Sequence, residues 1–298
     1  METQSLRAAV RGAYDIQKLR IEMGNRIVAN FKARLGQEPG MKEEELDAEG
    51  KKILKAIRQA FKKITDGIKT FPRQTGFTGD ELISDYTELC LVAQYVALEQ
   101  QEAQHFTRLG SILKNYPIFS DYLDGVKGIG PAMGGVLVTE IDITKARYPS
   151  SLWKYAGLDV AADGRGRSRR EAHLIDVDYT DKHGKPATRK SITFNPFLKT
   201  KLFVLASCFI RTKDSPYANI YRDYKHRMES HAVYGVANDQ KRDEDDKLIT
   251  SKGRRHNMAI RYMLKMFLRD LYVAWRPLEG LPVAPSYAEA KLKKIHAA

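Results

Sequence analysis

Cysteine is nearly missing from this chain. Cys90 and Cys208 are the only two in 298 residues, far apart, each inside an apolar helical pattern. They read as small core residues, which argues against a disulfide framework or a thiolate metal pair and fits a reduced, intracellular protein. Long apolar runs are lacking too. No stretch approaches the roughly 18 residues that suggest a spanning helix. Residues Met1 to Asp15 have no apolar core of the kind a secretion signal needs. A cytoplasmic location without a membrane partner is therefore expected. Acidic residues are outnumbered: 37 Asp and Glu stand against 50 Lys and Arg, a formal charge of +13. An excess of that size points to a polyanionic partner, with nucleic acid first and an anionic membrane second.

What is present is mostly helical pattern, with no internal repeat. Leu19, Met23, Ile27, Phe31 and Leu35 recur every four residues and predict one helical face. Gln37 to Gly40 breaks it. A second helix is expected from about Lys42 to Thr70, striped by Leu46, Ile53, Ile57, Phe61 and Ile64. After a loop from Phe71 to Gly79, a third runs from about Asp80 to Asn115, striped by Leu82, Tyr86, Leu89, Val92, Val96, Leu98 and Phe106. Three long helices with short breaks predict an antiparallel bundle, or an arm that pairs two copies as a coiled coil. Asp80, Glu81, Asp85 and Glu88 share one helical segment and are expected to face solvent.

The most informative stretch runs from Tyr116 to Leu137. It predicts a short helix, the turn Val126-Lys127-Gly128-Ile129-Gly130-Pro131, and a second helix. Gly128 and Gly130 permit backbone conformations that other residues resist, and Pro131 suits the first helical position. N–H groups at a helix start with Lys127 beside them attract an anion, phosphate foremost. The pattern resembles a helix-hairpin-helix, which grips a nucleic-acid backbone without reading sequence. A plain helical corner, its glycines serving close packing, is the alternative.

Further on, Ser150 or Ser151 is expected to cap a short helix carrying Leu152, Trp153 and Tyr155, with Gly157 ending it. Both aromatics fit the core better than base stacking. Arg165, Arg167, Arg169 and Arg170 then fall in a Gly-containing loop with Ser168. Their guanidinium groups suit phosphate oxygens. Two strand-like runs, His173 to Tyr179 and Thr188 to Phe194, flank a turn at Asp181 to Gly184. Near that turn Lys182, Lys185, Arg189 and Lys190 could reach along a duplex groove. Helices are expected at Pro196 to Arg211, Ser215 to Glu229 and Gly253 to Trp275, with a mobile polar loop over Gly235 to Thr250. The last helix and its start bring Lys252, Arg254, Arg255, Arg261, Lys265 and Arg269. Spacing places Arg254, Arg261, Lys265 and Arg269 on one face, and Met258, Tyr262, Met266 and Leu268 on the packing side. His256 has no metal-ligand companion and reads as a surface or phosphate-contact residue.

In this order the segments resemble the C-terminal domain of the Piv-type insertion-sequence transposases, the IS-one-ten group. The blocks are the hairpin at Val126 to Pro131, Ala146 to Ser151 with Leu152 to Leu158, the basic loop at Gly164 to Arg170, and Ser215 to Arg227 followed by Arg254 to Trp275. They cover about half the chain. The resemblance implies DNA binding and recombination. It also implies an N-terminal RNase-H-like domain with an acidic, Mg²⁺-binding quartet, which residues 1–112 do not offer. Asp243 to Asp246, in a polar loop without flanking strands, reads as a solvated charge run, so no metal ligands are assigned. Where the family has its catalytic Ser-Gly step, this chain has Asp163-Gly164. Ser168 is the nearest serine and the candidate nucleophile; a phosphate hydrogen-bonding role is the alternative.

The expected fold is therefore mainly α. A helical bundle or arm spans 1–112, a helix-hairpin-helix domain with a β-hairpin insertion spans 113–280, and a tail spans 281–298. The expected function is a nucleoid-associated, non-catalytic double-stranded DNA-binding protein acting through Lys127, Gly128, Ile129, Gly130, Arg165, Arg167, Arg169, Arg170, Lys252, Arg254, Arg255 and Arg261, as a homodimer. The alternatives are a transposase subunit using Ser168 with Mg²⁺ at a partner's acidic site, and an RNA-binding accessory factor.

Overall fold

The computed structural model describes residues 2–34, 48–66, 76–78, 81–242 and 249–285. The chain is mainly helical with one small antiparallel sheet, and it divides into two compact units, Met1–Ser111 and Ile112–Ala298.

The first unit contains α1 (Glu2–Arg34), α2 (Ala48–Asp66) and most of α3 (Tyr86–Leu113). The expected break at 37–40 and the outer ends of the second helix lie outside the described residues. Ile27, Val28 and Phe31 meet Leu54 and Ile57, and Ile83, Leu89, Val92 and Tyr95 close the cluster. The four-residue stripes were partly misplaced. Leu19 is 53% exposed, and Ile83 is buried in place of Leu82 and Tyr86. A strict four-residue step drifts around a helix of 3.6 residues per turn, so the outer members of a long stripe leave the core face.

The acidic segment before α3 also departs from expectation. Asp85 caps α3, its carboxylate accepting the Glu88 N–H at 2.9 Å. Glu88 is buried, not solvated. It accepts from Arg34 at 2.8 Å, Asn30 at 3.1 Å and the Ser84 N–H at 2.9 Å. Arg20 with Glu102 and Arg34 with Glu88 pair α1 and α3 in opposite directions, so these two helices are antiparallel.

The second unit is built around α9 (Lys252–Leu278). Packed on it are α4 (Pro117–Asp121), α6 (Pro149–Tyr155), α7 (Pro196–Arg211) and α8 (Pro216–Glu229), while α5 (Pro131–Glu140) packs on α7. Phe209, Tyr217 and Phe267 form an aromatic cluster with centroids 4.7–5.4 Å apart. Trp153 donates to the Lys265 carbonyl at 2.9 Å, and Tyr272 to that of Arg147 at 2.7 Å. Trp153 is thus pinned to the core, as expected, whereas Tyr155, expected there too, is 42% exposed. α6 starts two to three residues earlier than a Ser150 or Ser151 cap would place it, after Tyr148, and Ser151 reaches back to accept the Tyr148 N–H. It ends at Gly157 (φ +64°), where Gly157 and Leu158 donate to the Lys154 and Trp153 carbonyls, a Schellman ending.

The expected hairpin forms with shifted bounds, as β1 (Ile175–Thr180) and β2 (Pro186–Ser191), paired antiparallel with Val177 opposite Arg189; His173 lies before the first strand and Phe194 beyond the second. The Asp181 carboxylate accepts the His183 and Lys185 N–H groups and shapes the turn. Lys182, Lys185, Arg189 and Lys190 are all exposed on this hairpin. The expected mobile loop is anchored over 235–242: Asn238 is buried, and Asp239 pairs with Arg255. Asp243 to Asp246 lies outside the described residues. The start of the tail is also fixed, with Arg276 donating to the Pro282 carbonyl at 2.9 Å. Among the described residues no helix is long and apolar enough to cross a membrane.

Candidate functional site

The hairpin turn forms as the glycines dictate. Gly128 has φ +103°, and a Cβ there would sit 3.0 Å from Phe209, so it serves both the turn and close packing. Gly130 is the extended residue before α5 and Pro131 the first helical one; no side chain caps the N–H groups that follow. Gly134 lies beneath the Phe119 ring, which sets the approach of α4 to α5. Lys127 and Gly130 are exposed, but Ile129 is buried and anchors the turn, correcting its assignment as a contact residue.

The Arg-rich loop is folded by its own polar groups. Ala161 donates to the Arg165 carbonyl at 2.8 Å and Gly164 to that of Ala161 at 3.0 Å. Arg167 grips Asp159 at 2.7 Å and 3.0 Å. His173, buried, staples the ends. Its Nδ1 lies 3.0 Å from the Ser168 backbone N and 2.9 Å from Ser168 Oγ, while Nε2 lies 3.0 Å from Asp163. Since Nδ1 accepts the backbone N–H, the ring proton belongs on Nε2, donated to Asp163. That hydrogen bond, then the Arg165 N–H, holds the Asp163 carboxyl below its usual range.

The stapled loop faces α9 across a cleft of about 590 Å³. Arg165, Ser168 and Arg170 line one side; Arg254, Arg261 and Lys265 line the other, with Tyr224, Tyr234 and Tyr262. No carboxylate of the described residues lines it. Gly166 lets the Arg261 guanidinium lie on the loop backbone: a Cβ there would be 1.8 Å from Arg261 Nη1. Arg261 Nε and Asp159 Oδ1 are buried without a hydrogen-bond partner. Burial pushes the Arg261 and Lys265 pKa values down, against the pull of Asp159. Lys199, donating to the Arg167 carbonyl, is pushed down to about 8 by burial and by Arg261 and Arg167. Tyr224 and Tyr262 stack at 4.4 Å, and burial raises the Tyr224 pKa.

Thus Arg165, Arg170, Arg254 and Arg261, with Ser168, come together. Arg169 and Lys252 are exposed without lining the cleft. Two assignments change. Arg255 is buried, held by Asp239 at 2.6 and 2.8 Å and by the Tyr234 carbonyl, so it braces the 235–242 segment. Arg167 is committed to Asp159 and shapes the loop. Arg269 pairs with Asp270 beyond the cleft, Tyr262 and Met258 line it instead of packing away from it, and His256 meets Tyr221 at 2.7 Å. The hairpin lies elsewhere. Gly128 touches the Thr212 end of α7 and Arg167 the Lys199 end, a span of about 20 Å along the helix.

Sequence reasoning missed His173, Asp163, Lys199 and the three tyrosines. The five-residue steps Asp163–Ser168–His173 were a readable signal; the tyrosines, drawn from α8, α9 and the segment between them, gave none. Among the described residues no three His, Cys, Asp or Glu side chains converge to hold a metal. Asp159 and Asp163, the carboxylates beside the cleft, are engaged by Arg167 and His173, so these residues do not fit a Mg²⁺ ion. No protein-family model matches the chain, and no curated protein matches it.

Proposed function

We propose that this chain is a nucleic-acid-binding protein that grips the phosphate backbone, with double-stranded DNA as its first substrate and a nucleoid-associated, cytoplasmic location. The observation that carries the reading is the cleft that gathers Arg165, Arg170, Arg254, Arg261 and Lys265, with no lining carboxylate among the described residues. A lining that carries five cationic side chains selects anions, and the +13 chain charge favours a polymeric one. The exposed Lys127 beside the uncapped start of α5 supplies a second anion-attracting point about 20 Å away along α7. Kinship of residues 113–280 with the C-terminal domain of Piv-type transposases belongs to the same proposal, as does homodimer formation. The test is equilibrium binding to duplex DNA across a salt series. Affinity should fall steeply with salt and vary little with sequence. Salt-independent binding, or none at low salt, sinks the reading; a preference for structured RNA would move it to an RNA-binding factor.

One observation favours a second, catalytic reading. Ser168 Oγ faces an acceptor nitrogen of His173, which Asp163 holds from the other side, within the basic cleft. That is the arrangement of an activated nucleophile. Ser168 would attack a phosphodiester, pass its proton to His173, and leave a phosphoserine-linked strand while the departing oxygen takes the proton. A protein–DNA band that survives denaturation and disappears in Ser168→Ala supports it. Intact, uncoupled strands leave Ser168 as a loop staple.

A further inference from the structure

Resting on the nucleic-acid reading of this cleft, we propose that its floor receives a phosphomonoester: the phosphorylated end of a strand, with the terminal nucleotide lying along the tyrosines. Four cations, Arg167, Lys199, Arg261 and Lys265, surround one carboxylate, Asp159, and Arg167 already neutralises it. Three positive charges remain partly desolvated: Arg261 and Lys265 line the cleft, and Lys199 is held at the Arg167 carbonyl of the loop. Burying charge without a counter-charge is costly, so the arrangement favours a multiply charged anion.

The geometry separates an end from the middle of a strand. A phosphate within a duplex carries one negative charge and is flanked by two sugars. It meets a protruding turn, such as residues 126–130, more readily than the floor of a cleft. A terminal phosphate carries close to two charges at neutral pH and presents three acceptor oxygens. Arg261 is held ready for them. Its guanidinium lies on the Gly166 backbone, and its buried Nε has no partner. The Lys265 ammonium sits 5.5 Å from the Trp153 ring centroid, which fixes its stem without neutralising it. Ser251 and Gly253, at the start of α9, complete that wall and turn the positive end of a 27-residue helix toward the space.

The upper walls suit a nucleotide. The hydroxyls of Tyr224, Tyr234 and Tyr262 have no protein hydrogen-bond partner among the described residues, and all three tyrosines line the cleft. At about 590 Å³ the space is of the size that holds a small organic ligand.

The experiment is competition against a labelled, 5′-phosphorylated duplex, followed by fluorescence anisotropy at constant salt. The competitors are the same duplex with 5′-phosphate, with 3′-phosphate and with hydroxyl ends, the same sequence as a closed circle, and a nucleoside 5′-monophosphate. At least one phosphorylated duplex should compete about tenfold better than the hydroxyl-ended one, and the circle no better than the latter. In Lys265→Gln and Arg261→Gln that ratio should approach one, whatever happens to overall affinity; a thermal melt reports whether each variant folds. Equal competition by all duplex forms would overturn the end pocket while leaving backbone binding intact. No duplex binding even at low salt would instead remove the nucleic-acid reading, and competition by the mononucleotide as strong as by the phosphorylated duplex would make the cleft a free-nucleotide site. Should both variants unfold, the wild-type comparison still decides.

Discussion

Gly166→Ala separates the cleft from the fold. A Cβ at 166 would lie 1.8 Å from Arg261 Nη1 and 1.9 Å from Cζ. Ordinary contact begins near 3.4 Å, so the guanidinium must retreat by about 1.6 Å or more. The displaced group is the far end of a flexible side chain, and Gly166 is not in the left-handed region, so the backbone accepts alanine. Stability should therefore change by no more than about 1 kcal/mol. Affinity should not be spared. Losing one charge-assisted phosphate contact costs about 1.5–3 kcal/mol, roughly 10- to 150-fold in Kd. Anisotropy titration of a phosphorylated duplex, beside a thermal melt, measures both quantities. Gly164→Ala is the control: its φ is +69° in open space, so about 1–2 kcal/mol of stability should go, with Arg261 undisturbed. Wild-type affinity in a normally melting Gly166→Ala protein would refute Arg261 as a ligand contact.

Gly157→Ala combines a left-handed φ of +64° with a Cβ 2.7 Å from the Phe194 ring; denaturant titration should show a loss of about 2–4 kcal/mol, and a loss under 1 would contradict the packing. Glu88→Ala removes the carboxylate that accepts from Arg34 at 2.8 Å, leaving Arg34 its Ser84 and Leu82 contacts, and should cost about 1.5–3 kcal/mol, read as a lower melting transition; an unchanged melt would argue against the clasp. Lys199, with its pKa depressed to about 8, should lose its charge above that pH, so affinity for a phosphorylated strand should fall there and the profile should flatten in Lys199→Met. By linkage, the unfolded chain keeps that proton up to the ordinary value of 10.5, so this group makes the free protein more stable as pH rises from about 8 toward 10.5; a decline assigned to Lys199 over that window would reverse the argument.

Much of the helical order was legible because breakers and caps are local. Pro196 opens α7 behind the Asn195 cap, Pro216 opens α8, and Gly157 ends α6, each as its residue type dictates. The β-hairpin was readable for the same reason, from a Gly-containing turn between extended runs. What failed was partnership. Arg255 and Arg254 are neighbours in a basic run, yet Arg255 turns inward to Asp239 while Arg254 lines the cleft. Nothing in the spacing predicts that, because the choice depends on a carboxylate 16 residues away. Likewise Arg167 is spent on Asp159, eight residues away. Charge composition gave the sign of the surface; only tertiary contacts sorted which cations are consumed internally and which remain for a ligand.

That sorting also gives the cleft its physical logic. A fold optimised for stability alone would pair the buried cations or replace them with apolar groups, since an uncompensated buried charge costs more than a well-packed side chain. Here Asp159 could pair with any of several neighbours, yet its two-pronged contact goes to Arg167, whose task is to hold the loop. Arg261 and Lys265 stay across from that loop with Asp159 acting only at a distance. The depressed Lys199 pKa expresses the same tension, because burial and like charges penalise its proton. An arriving anion would relieve all three groups together, so the strain of the free protein becomes affinity in the bound one. The His173 staple fits this account. A loop carrying four arginines would splay under its own repulsion, and its closure by Asp163, Ser168 and His173 uses contacts independent of the ligand.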